Sequence, residues 1–114
     1  MKLLIAGSRS IKAFNFSEYV ADNVDLIICG GADGIDAIAE SYADKKRISK
    51  LVLRPCYKLY GRAAPLKRNE QMVDMADAVL IVWDGVSKGT AYTVNYAKKC
   101  LKPITVIISK KESQ

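Results

Sequence analysis

The chain has 114 residues, 50% apolar and 26% charged, with a net charge of +6 and no histidine. That length fits one domain around one core, and no apolar run approaches the ~18 residues a membrane span needs. The lack of histidine removes the commonest general base and metal ligand, which argues against a zinc site and against a Ser-His-Asp triad.

In chain order, the first element is a strand over Lys2–Ala6, which ends in Gly7-Ser8-Arg9-Ser10. Its apolar run is shorter than a signal peptide requires, so the expected location is cytoplasmic. Phe16, Tyr19, Val20 and Val24 follow at helical spacing and predict a helix. The second strand, Leu26–Cys29, leaves through Gly30-Gly31-Ala32-Asp33-Gly34-Ile35-Asp36. Ile35, Ile38, Ala39, Tyr42 and Ala43 then trace one face of a second helix. Leu51–Leu53 reads as the third strand.

The next connection, RPCYKLYGRAAPLKRNEQMVDMA, holds Pro55, Gly61 and Pro65. Those residues bar a single regular element, and Pro65 suits the start of a helix. Asn69 shares a stripe with Met72, Val73 and Ala76, where a polar side chain needs a core partner or a ligand. The fourth strand, Ala78–Trp83, leaves through Asp84-Gly85-Val86-Ser87-Lys88-Gly89-Thr90. Ala91, Val94, Ala97 and Leu101 repeat loosely as a helix, Ile104–Ile108 is the last strand, and residues 110–114 read as a loose tail. The domain therefore spans residues 1–109.

The alternation of strands and helices defines an α/β class. Runs rich in Leu, Ile and Val with little alternation predict a parallel sheet whose strands are buried on both faces by helices. In such a sheet the binding crevice lies at the carboxyl ends of the strands. The loops there hold six of the seven glycines. Bare backbone lets another atom approach, and amides at a helix start attract anions. Gly30 and Gly31 are expected under a ligand, and Gly34 where the helix starts close to the sheet. Ser8 and Thr90 offer hydroxyls, and Arg9 a phosphate-gripping fork. Asp33 is expected to cap the helix. Asp36 either complements its dipole or meets a ribose hydroxyl. Trp83 either stacks on a base or packs under the next helix. The three cysteines, Cys29, Cys56 and Cys100, have no metal-binding or redox spacing and suit a reducing compartment, Cys29 and Cys100 as small buried hydrophobes. Lys45-Lys46-Arg47 and the lysines at 98, 99, 102, 110 and 111 suit either a solvated surface or an anionic partner.

Three stretches, GSR, GGADGIDAIAESYA and PLKRNEQMVDMADAVLIVWDGVSKGTAYTVNYAKK, occur in an order that resembles the SLOG (Smf/LOG) superfamily of Rossmann-like domains. The likeness is to its short stand-alone YspA-like branch. It implies strand order 3-2-1-4-5 and a nucleotide pocket between strands one and four. By motif, Gly7, Ser8 and Arg9 would meet phosphate or sugar, and Gly30, Gly31 and Gly34 would form a second phosphate-facing turn. Arg68 and Asn69 match the element at the head of the third long helix, and Gly89 with Thr90 matches the Gly-Thr turn.

Three functions follow from this resemblance. One is a sensor or binding module for a nucleotide-like ligand, using Gly7, Ser8, Arg9, Gly30, Gly31, Gly34, Asp36, Arg68, Asn69, Asp84, Gly89 and Thr90. Another is an N-glycosidic phosphoribohydrolase, with Asp84 or Asp36 in place of the glutamate of a PGGxGTxxE pattern and Arg68 assisting. Tyr92 and Thr93 stand where that pattern has its acid. The third is a single-stranded nucleic-acid module, although Asp33 occupies the basic position of a GGARGID turn. No cofactor or metal is expected. A homodimer is expected to draw on Tyr57, Leu59, Tyr60, Met72 and Met75.

Overall fold

The computed structural model describes residues 1–109; the expected tail, with Lys110 and Lys111, lies outside the described residues. The elements follow in the order β1 (Lys2–Gly7), β2 (Leu26–Cys29), α1 (Ile35–Lys46), β3 (Ser49–Val52), α2 (Tyr57–Tyr60), a 3-10 turn (Gly61–Ala63), α3 (Ala64–Met75), β4 (Ala78–Trp83), α4 (Lys88–Lys99) and β5 (Ile104–Ile108), with a helix between successive strands everywhere but between β1 and β2. The five strands form one all-parallel sheet of order β3-β2-β1-β4-β5, the Rossmann-like layout.

Successive residues of a strand face opposite sides, and β1 shows how this divides the core. Leu3 and Ile5 pack with Ile27, Cys29, Leu80 and Val82 under α1. Leu4 and Ala6 pack with Ile28, Val79 and Ile81 under α3 and α4. The Ser8–Asp25 connection and α1 cover the first face, and α3 and α4 cover the second. Chain leaving β1 therefore turns to one face and chain leaving β4, its hydrogen-bonded neighbour, turns to the other. The divergence opens a crevice between their carboxyl ends.

Four expectations change. No helix forms over Phe16–Val24. Asn15 Oδ1 accepts the Ser17 amide at 2.9 Å, and one turn closes where the Tyr19 and Val20 amides reach Phe16 O. Local side-chain bonds of this kind compete with helix. Phe16, fully buried, packs edge-on against Phe14 and Tyr42, so a packed turn has the same apolar spacing as a helix. The edge strands are not buried on both faces: β3 begins two residues earlier than expected and is mostly exposed, and Val106 and Ile108 of β5 are also exposed. Leu101 lies beyond α4 at φ 58° and is 88% exposed. Cys100 is only partly buried, whereas Cys29 is fully buried and its thiol is pushed up to about 12, chiefly by desolvation.

Of the residues expected at a dimer interface, Met72 belongs to the core, Met75 packs beside it, and Tyr57 and Leu59 stay exposed. No helix among the described residues is long and apolar enough to cross a membrane.

Candidate functional site

At the carboxyl edge lies an open cavity of about 430 Å³. It is lined by Gly7, Ser8 and Arg9 after β1, by Ser87, Gly89 and Thr90 at the start of α4, and by Asp36 of α1 and Arg68 and Asn69 of α3. Eight of the twelve residues singled out in the sequence border one space. Gly30, Gly31, Gly34 and Asp84 do not line it.

Ser8 holds the rim together. Its amide donates to Val82 O at 3.1 Å, its carbonyl accepts the Ile35 amide at 3.3 Å, and its Oγ accepts the Asp84 amide at 2.9 Å. Loops after β1 and β4 and the start of α1 thus meet at one buried serine.

The glycines of the second loop are bare for reasons internal to the protein. A Cβ on Gly30 would lie 2.6 Å from Arg68 Nη1, and one on Gly31 would lie 2.6 Å from Arg54 Nη1. The space above that turn, expected to receive a ligand, is filled by two guanidinium groups. Arg54 donates to Gly31 O at 3.2 Å, and Arg68 donates to Gly30 O at 2.6 Å and to Leu53 O at 3.1 Å. Gly34 abuts the backbone of Ser8 and Arg9. The capping role expected of Asp33 falls to the backbone of Gly34, with no side-chain bond. Gly89 is different: nothing lies within 4 Å of its Cβ position, so it leaves room beside the cavity.

Asp84 organises a loop. Its Oδ1 accepts the Val86 and Ser87 amides at 2.9 and 2.8 Å, and its Oδ2 accepts the Ser10 and Ser87 hydroxyls at 2.9 and 2.8 Å. The backbone bond from Val86 leads in holding its carboxyl well below the usual carboxylate range. A depressed carboxyl stabilises the fold above its unfolded pKa and loses that contribution as pH falls through the folded value. Asp84→Ala is expected to speed amide exchange at Val86 and Ser87 by about tenfold or more, because each loses a charge-assisted bond. Hydrogen exchange read by mass spectrometry checks this, and unchanged protection would remove Asp84 from that role.

These bonds occupy the Ser87 hydroxyl, and among the described residues no side chain caps the first amides of α4. Gly89 and Thr90 lie in that first turn beside the cavity, where amides and the helix dipole favour an anion. Arg9 is exposed at the same rim and makes no ion pair among the described residues.

The far wall is built from buried charge. Arg68 and Asp36 are each 7% exposed. Burial pushes the Asp36 carboxyl up, opposed by the Ala32 amide, by Arg68 and by the Gly30 amide. Asn69 supports the arrangement, its Oδ1 accepting Arg68 Nε at 2.8 Å.

The indole of Trp83 packs on the second core face, donates to Ser87 O at 3.1 Å and does not line the cavity. Tyr92 directs its hydroxyl to Glu70, whereas Thr93 lines the cavity fully buried and bonds Gly89 O at 3.1 Å. Sequence reasoning missed Thr93 and Ser87 as lining residues. Ser87 carried a usable signal, a helix-capping residue type just before α4.

Comparison with known proteins adds one partial likeness. Over 40 residues, 35% of this chain, it is 52% identical to the uncharacterized SPbeta prophage-derived protein YoqJ of Bacillus subtilis (strain 168). The matched stretch spans 23% of that protein's length. No protein-family model matches the chain, and no solved structure matches it significantly.

Proposed function

We propose that the chain binds a nucleotide or nucleotide-derived ligand in this cavity, as a sensor or binding module. One observation carries the reading: the start of α4, and Arg9 with no ion pair among the described residues, line one space of about 430 Å³. That volume is in the range of small-molecule sites. The phosphate would lie between Arg9 and the amides of Gly89 and Thr90, with the Thr90 hydroxyl in reach. The resemblance to SLOG domains supports the same ligand class. Calorimetric titration with nucleoside monophosphates, dinucleotides and ADP-ribose tests it. Arg9→Ala is expected to weaken binding about ten- to a hundredfold, the usual size for a lost hydrogen bond to a charged group. No binding at millimolar ligand to folded protein would sink the proposal.

Asp36 favours a second reading, hydrolysis of an N-glycosidic bond. An oxocarbenium-like transition state wants a carboxylate beside it. Asp36 lines the cavity, and Asp84 is committed to its own loop. Release of free base from a nucleoside monophosphate, abolished in Asp36→Asn, would favour the enzyme over the binder.

A further inference from the structure

The cavity contains two buried charges of opposite sign that do not neutralise each other directly. Asp36 Oδ2 and Arg68 Nη1 lie 3.0 and 2.6 Å from one point, the Cβ position of Gly30. Yet no ion pair joins these two side chains. Each is already partly committed. Asp36 Oδ2 accepts the Ala32 amide at 3.2 Å, while Arg68 spends Nε on Asn69 and Nη1 on two carbonyls. Asp36 Oδ1 and Arg68 Nη2 make no hydrogen bond among the described residues, although the Gly30 amide lies near enough to the Asp36 carboxyl to favour its ionised form. No fully buried polar side-chain atom among the described residues lacks a partner, so both atoms keep some accessible surface. Both residues line the cavity.

An ionised carboxylate oxygen only accepts, and a guanidinium nitrogen only donates. The complement of such a wall is a ligand with a donor next to an acceptor. A fully ionised phosphate fails at this wall because it has no donor for Asp36 and repels it. The anion-binding elements, Arg9 and the start of α4, come from other loops of the same cavity. A ligand filling both parts is a phosphate ester that carries neighbouring hydroxyls.

We propose that Asp36 and Arg68 together read the vicinal 2′,3′-hydroxyls of a ribose, one hydroxyl donating to Asp36 Oδ1 and the other oxygen accepting from Arg68 Nη2. The cavity then selects ribonucleotides over deoxyribonucleotides. This rests on the reading of the cavity as a nucleotide site and specifies its substrate class. Leaving a buried carboxylate without its donor is the kind of mismatch by which binding sites reject analogues.

The test is calorimetric titration of wild type and Asp36→Asn with adenosine and guanosine 5′-monophosphates and their 2′,3′-dideoxy counterparts. For wild type, both dideoxy compounds are expected to bind about tenfold more weakly, or worse. In Asp36→Asn the preference for the ribonucleotides should shrink severalfold without vanishing, since Arg68 still meets one hydroxyl, while Arg9→Ala should weaken all four probes alike. Should the Asn variant not fold, the comparison on wild type decides alone. Equal wild-type affinity for ribo and dideoxy forms overturns this inference and leaves the nucleotide reading standing. A preference that follows the base and ignores the hydroxyls does the same. Absence of binding by all four overturns both.

Discussion

Gly34→Ala is expected to cost about 3–5 kcal/mol of folding stability, from a strained backbone and an overpacked contact together. Gly34 precedes α1 at φ 72° and ψ −127°, a region essentially reserved for glycine. A Cβ there would lie 2.5 Å from both Ser8 O and Arg9 O and 2.6 Å from Arg9 Cα. All three are backbone atoms. Ser8 O is fixed by the Ile35 amide, and Ser8 Oγ by the Asp84 amide, so the chain cannot yield without opening the rim. Urea unfolding should show a lower midpoint at unchanged slope. Gly89→Ala is the control: with open space at its Cβ position it should be neutral or gain about 0.5 kcal/mol from helix propensity. If Gly34→Ala matched the control, the close approach of α1 to the loop after β1 would be wrong.

The same glycines show what could be read from sequence. Three in GGADGID mark a place where backbone must be bare, and the structure agrees. The cause was not legible, because the atoms above Gly30 and Gly31 come from Arg68 and Arg54, 38 and 23 positions away. Spacing reports that something approaches a glycine, and only the fold reports what. The central strands were legible because β1, β2 and β4 are continuous apolar runs buried on both faces. The edge strands blurred because exposure on one side relaxes that composition. Phe16–Val24 misled because one packed turn places apolar residues as a helix does. At the site, Arg9, Thr90 and Gly89 were legible as loop chemistry at strand ends. Asp84 looked equally promising, but its acceptors are consumed by Val86, Ser87 and Ser10, a fact of loop geometry and not of residue type.

Arg68→Met is expected to cost about 2–4 kcal/mol, the size of leaving buried carbonyls without their charged donor. The loss has two parts. Gly30 O and Leu53 O lose their shared donor at the junction of β2, β3 and α3. Asp36 loses the positive charge that opposes its desolvation. The second part depends on pH. The Asp36 pKa is raised in the folded state, so its ionisation destabilises the fold above that value, and the penalty vanishes as pH falls towards the unfolded carboxylate value. Removing Arg68 raises the folded value further, so the cost of Arg68→Met should be larger at pH 8 than at pH 5. Arg68→Lys should recover little of it, since one ammonium cannot serve Asn69 and two carbonyls in the planar fork geometry. In a double-mutant cycle at pH 8, Arg68→Met with Asp36→Asn should cost less than the two single changes summed, because the second removes the charge the first leaves stranded. Strict additivity, or a cost independent of pH, would mean that the two charges do not sense each other across Gly30. The wall on which the sugar-reading proposal depends would then be two separate residues.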